Sequence, residues 1–244
     1  MSPQTQHYLD QFYISDLDLM QAWSVAREEF DHLLSEGVLA SPSYWIHAGR
    51  LHSVVFGDLE ASDLADQQFF HRDLREDMQA RFVYWREHGV AATLAHFEQR
   101  FKQHCLAALL NWQQQRWPLQ DCTNDDGERC ESALQERANK YWDYLQQGIF
   151  GLCVQQAGSV SHIVEKELLQ ERLSLLYQSQ TELAESTSAS SEEPSFAQTK
   201  SCSSASTIAE LQTNYARACM PFSPVEYPRS SRYRLLELLQ SESV

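Results

Sequence analysis

Residues 219–234 read CMPFSPVEYPRSSRYR, and no other stretch constrains the fold as much. Pro221, Pro224 and Pro228 fall within eight residues. Each lacks a backbone donor and disfavours helix in the residue before it, so no helix runs through. The segment must be a stiff connector. It delivers Arg229, Ser230, Ser231 and Arg232 to the start of one more helix, with Ser230 or Ser231 as its cap. Free N–H groups at a helix start, two hydroxyls and two guanidiniums can hold an anion or a partner. The alternative is that the arginines pair with the chain's own acids and clamp the last helix.

Helix is expected through most of the remaining chain. Only 8 Gly and 7 Pro among 244 residues argue against an all-β fold full of tight turns. The 244 residues suffice for one good core with an appendage, or for two small domains. The clearest amphipathic helix covers 91–116, where Leu94, Phe97, Phe101, Cys105, Ala108, Leu109 and Trp112 recur at spacings of three and four. Pro118 stops it. A preceding helix is predicted over 69–88, ended by Gly89, and further helices over 131–147 and 159–182. Residues 149–155 read as a short apolar, extended piece.

At the N-terminus, Ser15 caps a helix with Asp16 and Asp18 in its first turn. A second helix over 26–36 ends at Gly37, and extended pieces follow at 44–46 and 51–56. Helix, turn, helix and hairpin give the outline of a winged helix-turn-helix. The expected fold class is therefore mainly α, with a small winged-helix-like unit packed on a helical body. The predicted divisions are 1–60 for the winged unit, 61–183 for the helical body, 184–206 for a disordered Ser-rich insert, and 207–244 for C-terminal helices closing the body. The insert is rich in Ser, Thr, Ala and Glu and has little to bury.

Charge and cysteine usage bound the partners. A formal net charge of -15 repels phosphate backbones and anionic lipid. The second helix, AREEFDHLLSEG, carries four acids and would oppose DNA, so a duplex partner is not expected. No apolar run of about 18 residues exists, so no membrane span is expected. The start lacks a basic segment followed by an apolar block, and the six Cys include no CxxC pair. A reduced, cytoplasmic, bacterial-type protein is the expectation.

No motif fixes a reaction. There is no Gly-rich phosphate loop, nucleophile elbow or His-Glu-x-x-His helix. Glu29 and His32 have di-iron spacing but no second copy, and the acidic loop at 119–130 fits neither a zinc knuckle nor a calcium hand. No metal and no cofactor is expected. Candidate acid/base residues are His162, Glu165 and Lys166, and Cys153 is the candidate nucleophile; a buried structural thiol is its alternative.

The order of several landmarks resembles an uncharacterised bacterial family. The residues that carry the likeness are YLDQFY at 8–13, EGVLASPSYWI at 36–46, FFH at 69–71, GIFGLC at 148–153, IVEKE at 163–167 and PFSPVEYPRSSRYRL at 221–235. Members are often labelled natural-product biosynthesis proteins. The resemblance implies a role in a specialised-metabolite pathway and supplies no active site. Three roles follow as expectations. The first is an accessory protein of such a pathway, acting through a protein partner or a pathway intermediate. The second is an unfamiliar enzyme acting on an acidic or phosphorylated small molecule. The third is a helix-turn-helix transcription regulator.

Overall fold

A computed structural model describes residues 1–117, 119–123, 129–188 and 198–238. The N-terminal region is organised by a sheet. Helix α1 (Pro3–Phe12) is capped by Ser2 and leads into β1 (Tyr13–Ser15). Helices α2 (Asp16–Trp23) and α3 (Arg27–Ser35) follow, then β2 (Tyr44–His47), β3 (Arg50–Ser53), β4 (Gly57–Ala61) and β5 (Gln67–His71). The five strands form one antiparallel sheet in the order β1-β5-β2-β3-β4.

This overturns the winged helix-turn-helix. The hairpin β2–β3 is no appended wing but lies inside the sheet, and β1 pairs with β5 in the register Tyr13↔His71. Residues 69–71 lie in a strand, not in a helix. Both faces of the sheet are covered. Ile14 and Phe70 pack with Phe30 and Leu33 of α3, and Tyr13, Tyr44 and Phe69 pack with Tyr8 of α1 and Tyr215. The period-2 alternation of a strand separates the two sets. The local helix signals were sound: Ser15 does cap α2, and Gly37 takes φ 72° just beyond α3. The error lay in reading as an isolated module what is the middle layer of a larger unit.

Helix dominates the rest. Helix α4 (Arg75–Gln115) breaks at Gly89, whose φ of 76° and ψ of 177° belong to a region that only glycine enters cheaply. Thr93, 1 % exposed, seats its hydroxyl on the Gly89 carbonyl at 2.7 Å and fixes the break. Two limbs result, 75–88 and 90–115. The second buries Phe97, Phe101, Cys105 and Leu109, one every four residues, as the pattern predicted.

Helices α5 (Glu131–Gln146), α6 (Ile149–Cys153), α7 (Val160–Ser188) and α8 (Gln198–Ala218) complete the body. The piece expected to be extended at 149–155 is helical over α6, with a bridge between Val154 and Cys219 behind it. The proline connector crosses from α8 back over the sheet and ends in the short α9 (Ser231–Tyr233). Pro118, residues 124–128 of the acidic loop, 189–197 of the Ser-rich stretch and the expected end of the last helix near 240 lie outside the described residues. No helix among the described residues is long and apolar enough to cross a membrane.

Candidate functional site: a cleft between the limbs of the broken helix

Gly89 creates the site. Asp77 and Arg100 are 23 positions apart, which in a straight helix is about 35 Å. In the folded chain Arg100 Nη2 donates to Asp77 Oδ1 at 2.8 Å. Arg81, one turn beyond Asp77, donates through Nε to Asp77 Oδ2 at 2.6 Å, so one carboxylate ties both arginines and both limbs. The start of α7 closes the third side. Together they enclose a cleft of about 700 Å³.

Its floor is apolar, with Phe97, Phe101, Leu145 and Ile163 among the lining side chains. The lining also carries the polar Asp77, Arg81, Arg100, His104, Ser159 and Ser161. Arg81 is buried. It also donates to Gln146 Oε1 at 2.6 Å, and its guanidinium lies 5.4 Å from the Phe97 ring centre and 4.9 Å from that of Trp142. Burial lowers its pKa, and Asp77 offsets part of that effect. Arg100 is held differently. Its side chain is 44 % exposed, lies 4.5 Å above the Phe97 ring and, among the described residues, donates to Asp77 alone. The rest of its donor fork is open. At the third side, the first turn of α7 contains no acid of its own, but Asp73 Oδ2 accepts from the Gly158 N–H just before it at 2.8 Å and offsets part of its dipole.

The residues singled out from sequence sit elsewhere. Lys166 and Cys153 do meet, with Nζ 3.5 Å from Sγ. Lys166 is 3 % exposed and pairs with Glu167 at 2.7 Å. Burial pushes the Cys153 thiol up to about 12 despite the nearby ammonium, and burial raises Cys219 as well. Burial alone would lower Lys166; the thiol and carboxylate around it carry it well above the ordinary lysine value. A protonated thiol against a protonated amine in the core is a packed polar contact, not an activated nucleophile. Glu165 lies apart, lining a smaller pocket with Trp112 and Trp117, and His162 is half-buried with Nδ1 lacking a partner among the described residues.

In the Arg/Ser segment, Arg232 Nη1 donates to the carbonyls of Ala216, Cys219 and Met220 at 2.9, 2.6 and 3.2 Å. It thereby caps the C-terminus of α8. Ser230 accepts from the Tyr233 N–H at 3.1 Å, and Ser231 lies 3.0 Å from the Tyr215 hydroxyl. Arg229 rests 4.9 Å over the Phe56 ring and donates to the Phe56 carbonyl at 3.3 Å. All four residues are engaged within the chain, and their partners are backbone groups, a hydroxyl, the Gln170 amide and an aromatic ring, not the surplus acids. Glu226 is fully buried and accepts from Tyr44 and Ser223.

Sequence reasoning passed over Asp77, Arg81 and Arg100. The spacing of Asp77 and Arg81 is a legible helical ion pair. Nothing local marks Arg100 as their partner, because the contact depends on the fold-back at Gly89.

Fold and site thus define a mainly helical α+β protein with an amphipathic cleft between helices. The chain belongs to a family of unknown function, DUF6058, whose model matches residues 97–243. That span begins at Phe97 and includes Arg100, His104 and the start of α7; Asp77 and Arg81 precede it. No curated protein and no solved structure matches the chain.

Proposed function

We propose that the protein works by holding an amphipathic small molecule in the cleft between the limbs of α4 and the start of α7. One observation carries this reading: a cavity of about 700 Å³ with aromatic and aliphatic walls and a few convergent polar groups. Ligand sites of this kind typically span roughly 300–1,000 Å³ and have the same mix of lining. Of the three roles expected from sequence, action on an acidic small molecule stands nearest. The regulator loses the winged module on which it rested. A specialised-metabolite pathway is one setting in which such a ligand arises.

An uncharged apolar dye, N-phenyl-1-naphthylamine, tests the cleft directly. Its fluorescence should rise on binding the wild-type protein. Ala107 lines the cleft and is exposed, so Ala107→Trp fills the cavity without disturbing the core. That variant should keep its circular dichroism spectrum and lose the dye signal. A dye response equal in both proteins would place binding elsewhere and refute the proposal.

A further inference from the structure

We infer, building on the cleft reading above, that the bound molecule is a monocarboxylic acid with an apolar body, its carboxylate seated on Arg100. Three features of the geometry support this. First, the Arg100 guanidinium is fixed in place before any ligand arrives: Phe97 lies beneath it at 4.5 Å and Asp77 holds one edge at 2.8 Å. A planar fork held on two sides loses little freedom on binding, and its open edge matches the two oxygens of a carboxylate.

Second, the charge count selects a single negative charge. Arg81 and Arg100 carry two positive charges, and Asp77 between them returns one. Asp73, on the Gly158 N–H at 2.8 Å, takes up the partial positive charge at the start of α7, and Glu76 borders Arg100 as well, so at most about one positive charge is left for a ligand. A dianion such as a phosphate monoester would bring its second charge close to Asp77, where like charges repel. Arg81 is committed to Asp77 and Gln146 and is buried, so it contributes field and not a free fork.

Third, the apolar wall begins where the fork ends. Phe97 and Phe101 lie one turn apart on the same helix face as Arg100 and His104, with Leu145 and Ile163 across from them. An acid with an aliphatic or aryl body satisfies both halves of the cleft at once. A free inorganic anion leaves the wall bare, and a plain hydrocarbon leaves the fork unused.

Displacement of the neutral dye by octanoate, octanol and octyl phosphate separates the possibilities. Octanoate should compete at least about tenfold better than octanol, the margin expected for one hydrogen bond to a charged group. It should also outcompete octyl phosphate. In Arg100→Gln, a half-exposed position whose partner Asp77 keeps its pair with Arg81, octanoate should fall to the level of octanol while the dye still binds and the circular dichroism spectrum is kept. Equal competition by octanoate and octanol in the wild type overturns the acid assignment and leaves the cleft standing. Stronger competition by octyl phosphate overturns the single-charge argument. Failure of the dye to bind, or its indifference to Ala107→Trp, sinks the cleft reading itself.

Discussion

Replacing Arg232 by alanine separates a clamp from an anion site. Arg232 Nη1 supplies hydrogen bonds to three carbonyls at the C-terminus of α8, at 2.9, 2.6 and 3.2 Å. The Ala216 carbonyl belongs to the last turn of α8, where no intrahelical partner is left for it, and those of Cys219 and Met220 lie in the chain that directly follows. Hydrogen bonds to a charged group contribute about 1.5–3 kcal/mol net, and a cation at a helix C-terminus adds about 0.3–1 kcal/mol. The three contacts share the protons of one nitrogen, so they count as fewer than three full bonds. Arg232→Ala should therefore cost about 2–3 kcal/mol. For a chain of this size each kcal/mol moves Tm by about 2–4 °C, which predicts a loss of roughly 5–10 °C. Differential scanning calorimetry and urea titration measure it. Arg229→Ala is the control, since Arg229 is exposed and makes one carbonyl contact and one ring contact. It should cost under about 1 kcal/mol. Equal losses at the two positions, or a wild-type Tm raised by phosphate at matched ionic strength and not in Arg232→Ala, would refute the clamp.

Gly89→Ala should lower stability by about 1–3 kcal/mol, because φ 76° with ψ 177° strains any side chain even though nothing crowds the position. Dye binding in the cleft should weaken with it, and an unchanged urea midpoint would show that the break is not built on glycine. Burial lowers His71 to about 4, and its Nδ1 accepts the Asp73 N–H at 3.2 Å. The unfolded chain binds that proton at higher pH than the folded one, so this contribution to stability is lost as pH falls from about 6.5 towards 4, by at most about 3 kcal/mol. Its ring resonances should stay fixed between pH 5 and 8; titration near 6.5 would contradict the burial argument. Glu226 pulls the other way. Burial raises its pKa, so its stabilising share is complete below the ordinary glutamate value and disappears as pH rises through the folded one. Glu226→Gln should gain on the wild type as pH rises to neutrality, and a constant difference across pH would refute the protonation account.

What the sequence by itself determined was local. Ser15 before two acids fixed the start of α2, and Gly37 and Gly89 marked where helices stop. Phe97, Phe101, Cys105 and Leu109 declared a buried helix face, and the proline run excluded α-helix between α8 and α9, where only a 3₁₀ turn at Tyr227–Arg229 forms. Each of these depends on neighbours within a turn or two, where sterics, capping and periodicity act. Tertiary structure decided the rest. Strands of three to five residues, two of them reading GDLEA and QQFFH, carry almost no alternation, and β1 finds its partner 58 positions away. Pairing over such a distance is set by which faces can be buried together, not by any local preference. Lys166 and Cys153 looked like chemistry in sequence, but desolvation raises the thiol and the buried lysine keeps its proton beside Glu167. The two arginines of the cleft looked like surface charge and became a site, because a single glycine turns the chain back and brings Arg100 to the other side of Asp77.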